Sequence, residues 1–339
     1  MHCHLLIPHL LPPPAQAPRL PALERLLTRG RGERSGDGAM EAWLCRAFGV
    51  ARQQDWPLAP LTLTADGGRP EDYYWLRADP VYLRPERDQL VLADSGAFAL
   101  SQDEARQLCD TLNSHFGPDG LIFYPLRPDR WYLRLERPPL LHTHPLPAVT
   151  GRGIDPFLPH GPDAMRWHAV FNEIQMLLYG HPANVEREAR GELPVNSVWF
   201  WGGGSQPQAG ARPFDAVWAN DPLARGLAAA AGVAGRPLPA TGEEWLAAAA
   251  GPRTPLVVLN ALCGAGQYGD ALGWREGLQQ LEQDWFGPLG RALGRGALEA
   301  LTLHATETGE ARSFTVRRAD LWRLWRRPRP LAAYGAEGA

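Results

Sequence analysis

The sequence of 339 residues contains no lysine, so all 34 of its basic residues are arginine. This absence excludes the lysine-dependent phosphate loop of P-loop nucleotide-binding proteins and every enzyme that forms a Schiff base through a lysine. Basic residues are not in excess either. The net charge of −3 and the pI of about 6.4 argue against a general nucleic-acid-binding protein, which would usually be basic.

Cysteines and long apolar runs are also scarce. The four cysteines are widely spaced and form no CxxC pair, which excludes a disulfide framework or a zinc-binding pattern and favours a reducing setting. No apolar run reaches the length of a membrane span, and Pro8 and His9 interrupt the first one, so we expect no signal peptide. We therefore expect a cytoplasmic protein with no membrane and no nucleic acid among its partners.

Short apolar runs, separated by helical or loop segments, recur along the chain and predict buried strands. Their alternation with helices favours an α/β fold with a mainly parallel, doubly wound sheet that has helices on both faces. The predicted strands are His4–Ile7, Val198–Trp201, Ala216–Ala219, Leu256–Leu259 and Leu298–Leu303.

The pattern changes near residue 72, where strands cluster around one helix. Ser101 and Glu104 form a capping box, which predicts a helix that continues to about Ser114. Strands predicted at 89–93, 121–124 and 130–136 complete a smaller α+β domain. We therefore predict a discontinuous core domain, residues 1–71 plus 146–339, and an inserted cap domain, residues 72–145.

Three glycines follow the predicted strand at Val198–Trp201, and their bare amides could approach an anion. A tight turn explains Gly202, Gly203 and Gly204 equally well. Arg77 and Arg130 carry guanidinium groups that suit phosphate or carboxylate, although exposed arginine is common in this arginine-rich chain.

The stretch HPANVEREARGELPVNSVWFWGGG at 181–204 resembles the archaeal-type cofactor-independent phosphoglycerate mutases of the alkaline phosphatase superfamily. Other segments are similar to the same family, among them RLPALERLLTRG at 19–30 and TGRGIDPFLPHG at 150–161. The patterns NSVWFWGGG and DPVYLRPERDQL also resemble a bacterial group of RpfE-type regulatory proteins. The resemblance implies an alkaline-phosphatase-like core with an inserted cap. Arg77, Arg130, Asn196 and the three glycines would then bind a small phosphorylated or carboxylated metabolite between them.

The resemblance also implies a serine nucleophile beside two divalent metal ions, usually manganese, but this sequence departs from the family at each catalytic motif. Pro8 stands where the family has an aspartate. Gly36 and Met40 replace the serine and the histidine of the nucleophile motif. Cys263 and Gln267 replace two metal ligands. Neither proline nor glycine can bind a metal through its side chain, so we expect no metal site.

Three residues remain as catalytic candidates: Ser35, Asp37 and His304. Ser35 lies one position from the family's serine, and His304 corresponds to a metal ligand after the last core strand. We therefore interpret the chain as a catalytically degenerate phosphoglycerate-mutase-like protein that has a regulatory or interaction role with an unknown protein partner. The alternative is an active manganese- or zinc-dependent mutase or phosphohydrolase with a rearranged site.

Two further clusters invite a functional interpretation. His2 and His4 would share one face of the first strand, which we interpret as incidental rather than as a metal site. The segment RRADLWRLWRRPRP at 317–330 interleaves arginine with Trp322 and Trp325. Such a segment can bind an acidic membrane or nucleic acid, but we expect a final amphipathic helix that packs both tryptophans on the core.

Overall fold

A computed structural model, which describes residues 1–11, 17–36, 38–306 and 309–335, confirms the predicted fold class. The chain forms two compact units. The core unit comprises Met1–Val50 and Ala209–Ala339, and the inserted unit comprises Ala51–Gln208. The inserted unit extends beyond the predicted range of 72–145 at both ends.

The secondary structure alternates between strands and helices in the core unit and groups its strands in the inserted unit. The strands are β1 (His2–Pro8), β2 (Arg31–Gly36), β3 (Tyr74–Glu86), β4 (Gln89–Ala93), β5 (Ile122–Arg127), β6 (Arg130–Leu135), β7 (Ser197–Gly204), β8 (Ala216–Trp218), β9 (Ala234–Arg236), β10 (Pro255–Val258), β11 (Ala300–Thr306) and β12 (Glu310–Arg317). The α-helices are α1 (Pro21–Arg29), α2 (Met40–Ala47), α3 (Leu58–Ala65), α4 (Gln102–Phe116), α5 (Leu146–Val149), α6 (Ala164–Leu178), α7 (Pro182–Ala189), α8 (Pro222–Ala230), α9 (Gly242–Ala248), α10 (Cys263–Gln267), α11 (Ala271–Leu281) and α12 (Gly287–Arg295).

The core unit is built on a seven-stranded sheet in the order β2-β12-β11-β1-β10-β8-β9. The five strands from β11 to β9 are parallel to one another. Beyond β11, β12 pairs antiparallel with β11, and β2 pairs antiparallel with β12. Strand β1 lies between β10 and β11, and its residue His4 pairs with Leu256 on one side and with Thr302 on the other. The first strand of the chain is therefore an interior strand of the sheet.

The two faces of this sheet differ in chemistry at β1 and β11. Successive side chains of a strand point to opposite faces, so alternate residues of each strand share a face. One face contributes apolar side chains to the large core of the unit, including Leu5, Ile7, Val257, Leu301 and Leu303. The alternate positions of β1 and β11 carry His2, His4, Thr302, His304 and Thr306. This polar set is unusual for the centre of a sheet.

The inserted unit contains an antiparallel sheet in the order β4-β3-β6-β5, and β7 pairs with β3 outside that path. Val198–Trp201 lies in β7 and is a buried strand, as predicted, but its placement in the parallel sheet was wrong. The strand pairs antiparallel with β3, from Trp75 with Gly204 to Val81 with Ser197. A short apolar run indicates burial on both faces and carries no information about its partner, which explains the error.

The predicted start of helix α4 is confirmed. The Ser101 hydroxyl accepts from the Glu104 amide, and the Glu104 carboxylate accepts from the Ser101 amide, which completes the capping box. Asp163 precedes α6, and its carboxylate accepts from the Leu140 amide at 2.8 Å instead of capping the helix. No α-helix in the described ranges is long and apolar enough to cross a membrane.

The C-terminal segment contradicts its prediction. Instead of an amphipathic helix, residues 318–322 form a short 3₁₀ turn and the following residues are irregular. Trp322 and Trp325 are 74% and 77% exposed, so neither packs on the core as expected. Leu321 and Leu331 of this region are buried.

Candidate functional site

The carboxyl ends of the parallel strands form the first candidate site in the core unit. Ligands of open α/β sheets bind at this edge because the loops that follow the strands converge there. His9 follows β1, Asn260 follows β10, and Thr306 ends β11. The His9 amide donates to the Thr306 carbonyl at 3.0 Å, and the Leu259 amide donates to the Leu6 carbonyl at 2.9 Å. These bonds hold the three strand ends side by side.

Two polar atoms at this edge are buried without a hydrogen-bond partner in the part of the chain that the structure describes. They are Oγ1 of Thr306, a residue only 2% exposed, and Oδ1 of Asn260. The Nδ2 of Asn260 donates to Asp221 over a long 3.4 Å. An unsatisfied buried polar atom costs about 1–3 kcal/mol, so such atoms are rare except where a ligand or water completes the site.

His9 lies beside these atoms in a strained conformation. Its φ of 58° is in the left-handed region, which residues other than glycine rarely adopt. A β-carbon on Gly266 would lie 2.7 Å from Nδ1 of His9, so glycine at 266 lets α10 pack against the ring. Burial lowers the pKa of His9, so its ring is neutral at pH 7. The edge therefore offers neutral hydrogen-bonding groups beside the Asp221 carboxylate.

The polar face of the same sheet carries a second cluster, which we call the histidine rows. In the first row, Nε2 of His2 lies 2.8 Å from Oγ1 of Thr302, which lies 2.9 Å from Oγ1 of Thr315. Each row crosses β1, β11 and β12. In the second row, Nδ1 of His4 lies 3.0 Å from Nε2 of His304, and the Nδ1 of His304 lies 2.7 Å from Oγ of Ser313.

Aromatic rings enclose the second row. The His4 and His304 rings are stacked with centroids 5.3 Å apart. Trp43 of α2 lies 4.6 Å from His304, and Phe214 lies 5.2 Å from His4 between ring centroids. Burial lowers the pKa of His304 to about 3 and the pKa of His4 to about 4; His2 lowers the pKa of His4 further, and both His4 and His2 lower that of His304. Both rings are therefore neutral at pH 7.

A neutral His304 has one nitrogen that donates and one that accepts, and both are within hydrogen-bonding distance of internal partners. A metal ligand needs a nitrogen lone pair that points to the ion. In this arrangement, His4 and Ser313 take up the two nitrogens of His304.

Comparison with known proteins shows that part of the chain is similar to one group of enzymes. A probable 2,3-bisphosphoglycerate-independent phosphoglycerate mutase of Geobacter sulfurreducens is 33% identical over 134 residues, which are 39% of this chain and 33% of that protein. The 2,3-bisphosphoglycerate-independent phosphoglycerate mutase of Methanosarcina barkeri is 33% identical over 119 residues, which are 34% of this chain and 30% of that protein. The match thus spans about a third of each curated relative. No family model matches the sequence.

Solved structures match over nearly the whole chain. The PH0037 protein of Pyrococcus horikoshii has a TM-score of 0.58 and 13% identity, over 93% of this chain and 87% of that one. The cofactor-independent phosphoglycerate mutase of Thermoplasma acidophilum has a TM-score of 0.50 and 17% identity, over 100% and 96% of the two chains. The chain is similar to the cofactor-independent mutases. At these identities the structural likeness establishes the fold and no activity.

The metal pair that the mutase resemblance implies does not fit the described residues. They contain no group of three or more histidine, cysteine, aspartate or glutamate side chains placed to hold a metal ion. Mn²⁺ and Zn²⁺ need several such oxygen, nitrogen or sulfur ligands. The strand ends instead carry His9, Asn260 and Thr306, and Cys263 and Gln267 lie at the two ends of α10. Asp37 lies outside the described residues.

Ser35, the candidate nucleophile of a rearranged mutase site, is an exposed residue of the edge strand β2. Its backbone pairs with Ala311, and its hydroxyl donates to the Ala311 carbonyl over 3.4 Å. A nucleophilic serine needs a base within hydrogen-bonding distance, and no histidine is bonded to Ser35 in the described chain. The catalytic roles of Ser35, Asp37 and His304 remain predictions.

Arg77, a predicted ligand-binding residue, is only 4% exposed in β3 of the inserted unit. Its guanidinium donates to both oxygens of Asp79, at 2.8 Å each, and lies between the rings of Tyr132 and Trp201. Burial alone would lower the pKa of Arg77, but the Asp79 carboxylate outweighs this effect and raises it. The Asp79 carboxylate also accepts from the Trp201 indole and from the Trp131 amide. The Arg77 fork is thus filled by an internal carboxylate.

Arg130, the second predicted guanidinium, has a similar partner. It donates from Nε and Nη2 to the two oxygens of Asp66, at 2.9 Å each, and the Tyr132 hydroxyl donates to the same carboxylate at 2.7 Å. Burial alone would raise the pKa of Asp66, but these hydrogen bonds lower it. Arg130 keeps about a quarter of its side chain exposed. The Asp66 carboxylate already occupies two donors of the Arg130 guanidinium. Binding of a ligand anion by Arg130 therefore stays a prediction.

Asn196 and the three glycines also have structural roles in the inserted unit. Asn196 binds the backbone of Leu83 through both side-chain ends, since Oδ1 accepts from the amide and Nδ2 donates to the carbonyl. Gly204 packs so closely that an added β-carbon would lie 2.8 Å from Cα of Pro57. Gly202 has a φ of +63°, which favours glycine. Their predicted ligand contacts remain untested.

Sequence reasoning missed the histidine rows and the unsatisfied Thr306 and Asn260. The spacing of His2 and His4 placed both on one face of β1, which was a usable signal. Their hydrogen-bond partners Thr302 and His304 lie about 300 positions further along the chain. A single sequence does not reveal that pairing.

Proposed function

We propose that this chain is a phosphoglycerate-mutase-like protein that does not carry out metal-dependent phosphoryl transfer and instead has a regulatory or interaction role. It would bind a small phosphorylated metabolite at the carboxyl edge of its core sheet. His304, the remaining counterpart of a metal ligand, carries this proposal because both of its nitrogens are bonded within the core unit. The RpfE-type resemblance and the cytoplasmic setting belong to the same proposal.

The chemistry of the edge supports binding without a metal. A phosphate ester can accept hydrogen bonds from neutral donors and from backbone amides, and it would pair the Thr306 hydroxyl that has no partner. The neutral His9 ring adds a further polar group, and Oδ1 of Asn260, which is an acceptor, would pair with a hydroxyl of the metabolite rather than with its phosphate. A bimetallic enzyme would instead need several carboxylates that converge at these strand ends.

Two measurements test the catalytic part of the proposal. We expect purified protein to contain less than one equivalent of manganese or zinc, measured by elemental mass spectrometry. We also expect no interconversion of 2- and 3-phosphoglycerate, with or without added Mn²⁺. If the protein converts the substrate and Ser35→Ala abolishes the activity, the alternative of an active mutase or phosphohydrolase with a rearranged site replaces this proposal.

The binding part is tested separately. We expect 3-phosphoglycerate to raise the melting temperature of the wild-type protein, and Thr306→Val to weaken that effect because the hydroxyl is lost and the volume is kept. Thr302→Val is the matched control, since Thr302 lies on the same face of β11 but bonds to His2 and Thr315. Equal ligand responses in both variants would refute the role of this edge, and a regulatory role through a protein partner alone would remain.

A further inference from the structure

The surface formed by residues 317–330, which we call the Trp–Arg segment, exposes large apolar side chains. Trp322 is 74% exposed, Leu324 67% and Trp325 77%. Scattered single apolar residues are normal on protein surfaces, but three within four positions are a concentrated patch. Two of them are indoles, the side chains most enriched at the interface between membrane and water.

Hydrogen bonds attach the segment to the core unit. Arg323 donates to the carbonyl of Arg29, and the amide of Arg329 donates to Oγ1 of Thr28 at 2.9 Å. A turn closes the apolar patch itself, since the amide of Leu324 donates to the carbonyl of Trp322 at 2.7 Å. The tryptophans are therefore presented on an anchored loop, which lowers the entropy cost of binding.

Charge surrounds the apolar patch. The segment contains six arginines and one aspartate, although the whole chain has a net charge of −3. Asp320 is paired with Arg323 at 2.8 Å, and Arg326 donates to the Gly30 carbonyl. Arg327 and Arg329 are exposed, and their guanidinium groups have no partner in the described chain. The surface that exposes the indoles thus carries a strong positive charge.

We infer that the Trp–Arg segment docks the protein on an anionic phospholipid surface. The indoles and Leu324 would enter the headgroup region while the arginines attract the lipid phosphates. Single-stranded nucleic acid fits less well, because bases stack on aromatic rings and gain little from a leucine between them. This inference is independent of the proposed metabolite site, and it departs from the expectation that no membrane takes part. That expectation depended on the lack of a membrane-length apolar run and, for this segment, on tryptophans packed against the core.

Vesicle co-sedimentation tests the inference with the full chain. We expect binding to phosphatidylcholine vesicles that contain phosphatidylglycerol, weak binding to phosphatidylcholine alone, and a loss of binding as salt is added. Trp322→Ser with Trp325→Ser should reduce binding by about tenfold or more, because the apolar area is removed. Arg327→Gln with Arg329→Gln should reduce it by about fivefold for each charge removed.

Matched variants separate docking from general surface effects. Leu272→Ser removes an apolar side chain of α11 that is 66% exposed, and Arg275→Gln removes an exposed charge of the same helix. Both should bind vesicles like the wild type. Equal binding to both vesicle types, or full binding by the double tryptophan variant, would overturn the inference. Binding to single-stranded RNA that depends on the same residues, without vesicle binding, would overturn it in favour of a nucleic-acid surface.

Discussion

The buried ion pair of Arg77 and Asp79 yields the sharpest prediction for stability. Both side chains are almost fully buried, with exposures of 5% and 1%, and their atoms approach to 2.8 Å. We expect Asp79→Ala to destabilise the inserted unit strongly, because a buried guanidinium would lose its counter-charge while remaining out of water. The Trp201 indole and the Trp131 amide would also lose their acceptor.

The size of the effect follows from these contacts. Breaking a buried ion pair by removing one partner typically costs about 3–5 kcal/mol, since an unpaired charge is left in a poorly solvated site. Replacing both partners by apolar residues of similar size is often close to neutral. We therefore expect Asp79→Ala to cost about 3–5 kcal/mol, and the double variant Arg77→Met, Asp79→Leu to cost clearly less than that single substitution.

Urea unfolding followed by tryptophan fluorescence and circular dichroism measures these free energies, with the two units fitted as separate transitions if they unfold separately. The matched control is Asp103→Ala, which breaks the exposed pair of Asp103 and Arg106 at 3.1 Å and should cost about 1 kcal/mol or less. An Asp79→Ala variant as stable as this control would refute the reasoning, as would a double variant that is less stable than the single one.

Two further predictions concern stability. The pKa values of His4 and His304, lowered by burial to about 4 and about 3, lie below the ordinary value of 6.5. As the pH falls, these two histidines are therefore protonated in the unfolded chain before they are protonated in the folded one. The free energy of unfolding should then fall by up to about 3 kcal/mol per pH unit below about pH 6. Unfolding curves that coincide at pH 7 and pH 5 would contradict this. Gly204→Ala should cost about 1–3 kcal/mol because its methyl group would overlap Pro57, whereas Gly290→Ala meets open space in a helix and should be neutral or stabilising, as thermal unfolding would show.

Local signals in the sequence were sufficient for much of the fold. The capping box at Ser101 predicted the start of α4 because both of its hydrogen bonds lie within four residues. Short apolar runs located β1, β7, β8, β10 and β11 because burial leaves a direct record in composition. The composition of a strand does not indicate which strand it pairs with. For this reason β7 was predicted in the parallel sheet, although it pairs with β3.

The candidate site was less predictable because its chemistry depends on distant pairs. The sequence indicated that Arg77 suits an anion, and it does bind one, but that anion is the side chain of Asp79 two residues away. His304 was recognised as a single counterpart of a metal ligand, whereas its neighbours His4 and Ser313 could not be assigned without the sheet order. The exposure of Trp322 was missed because an amphipathic helix was assumed.

The position of β1 between β10 and β11 has a consequence for how the core unit is made in the cell. Residues 2–8 are synthesised well before their neighbours on both sides, which are residues 255–258 and 300–306. Until synthesis passes those stretches, the backbone groups of β1 are unpaired on both sides in the nascent chain. Unpaired strand edges promote aggregation. Ribosome stalling or truncation before residue 300 would therefore leave β1 without one of its two neighbours, and such fragments should depend on chaperones.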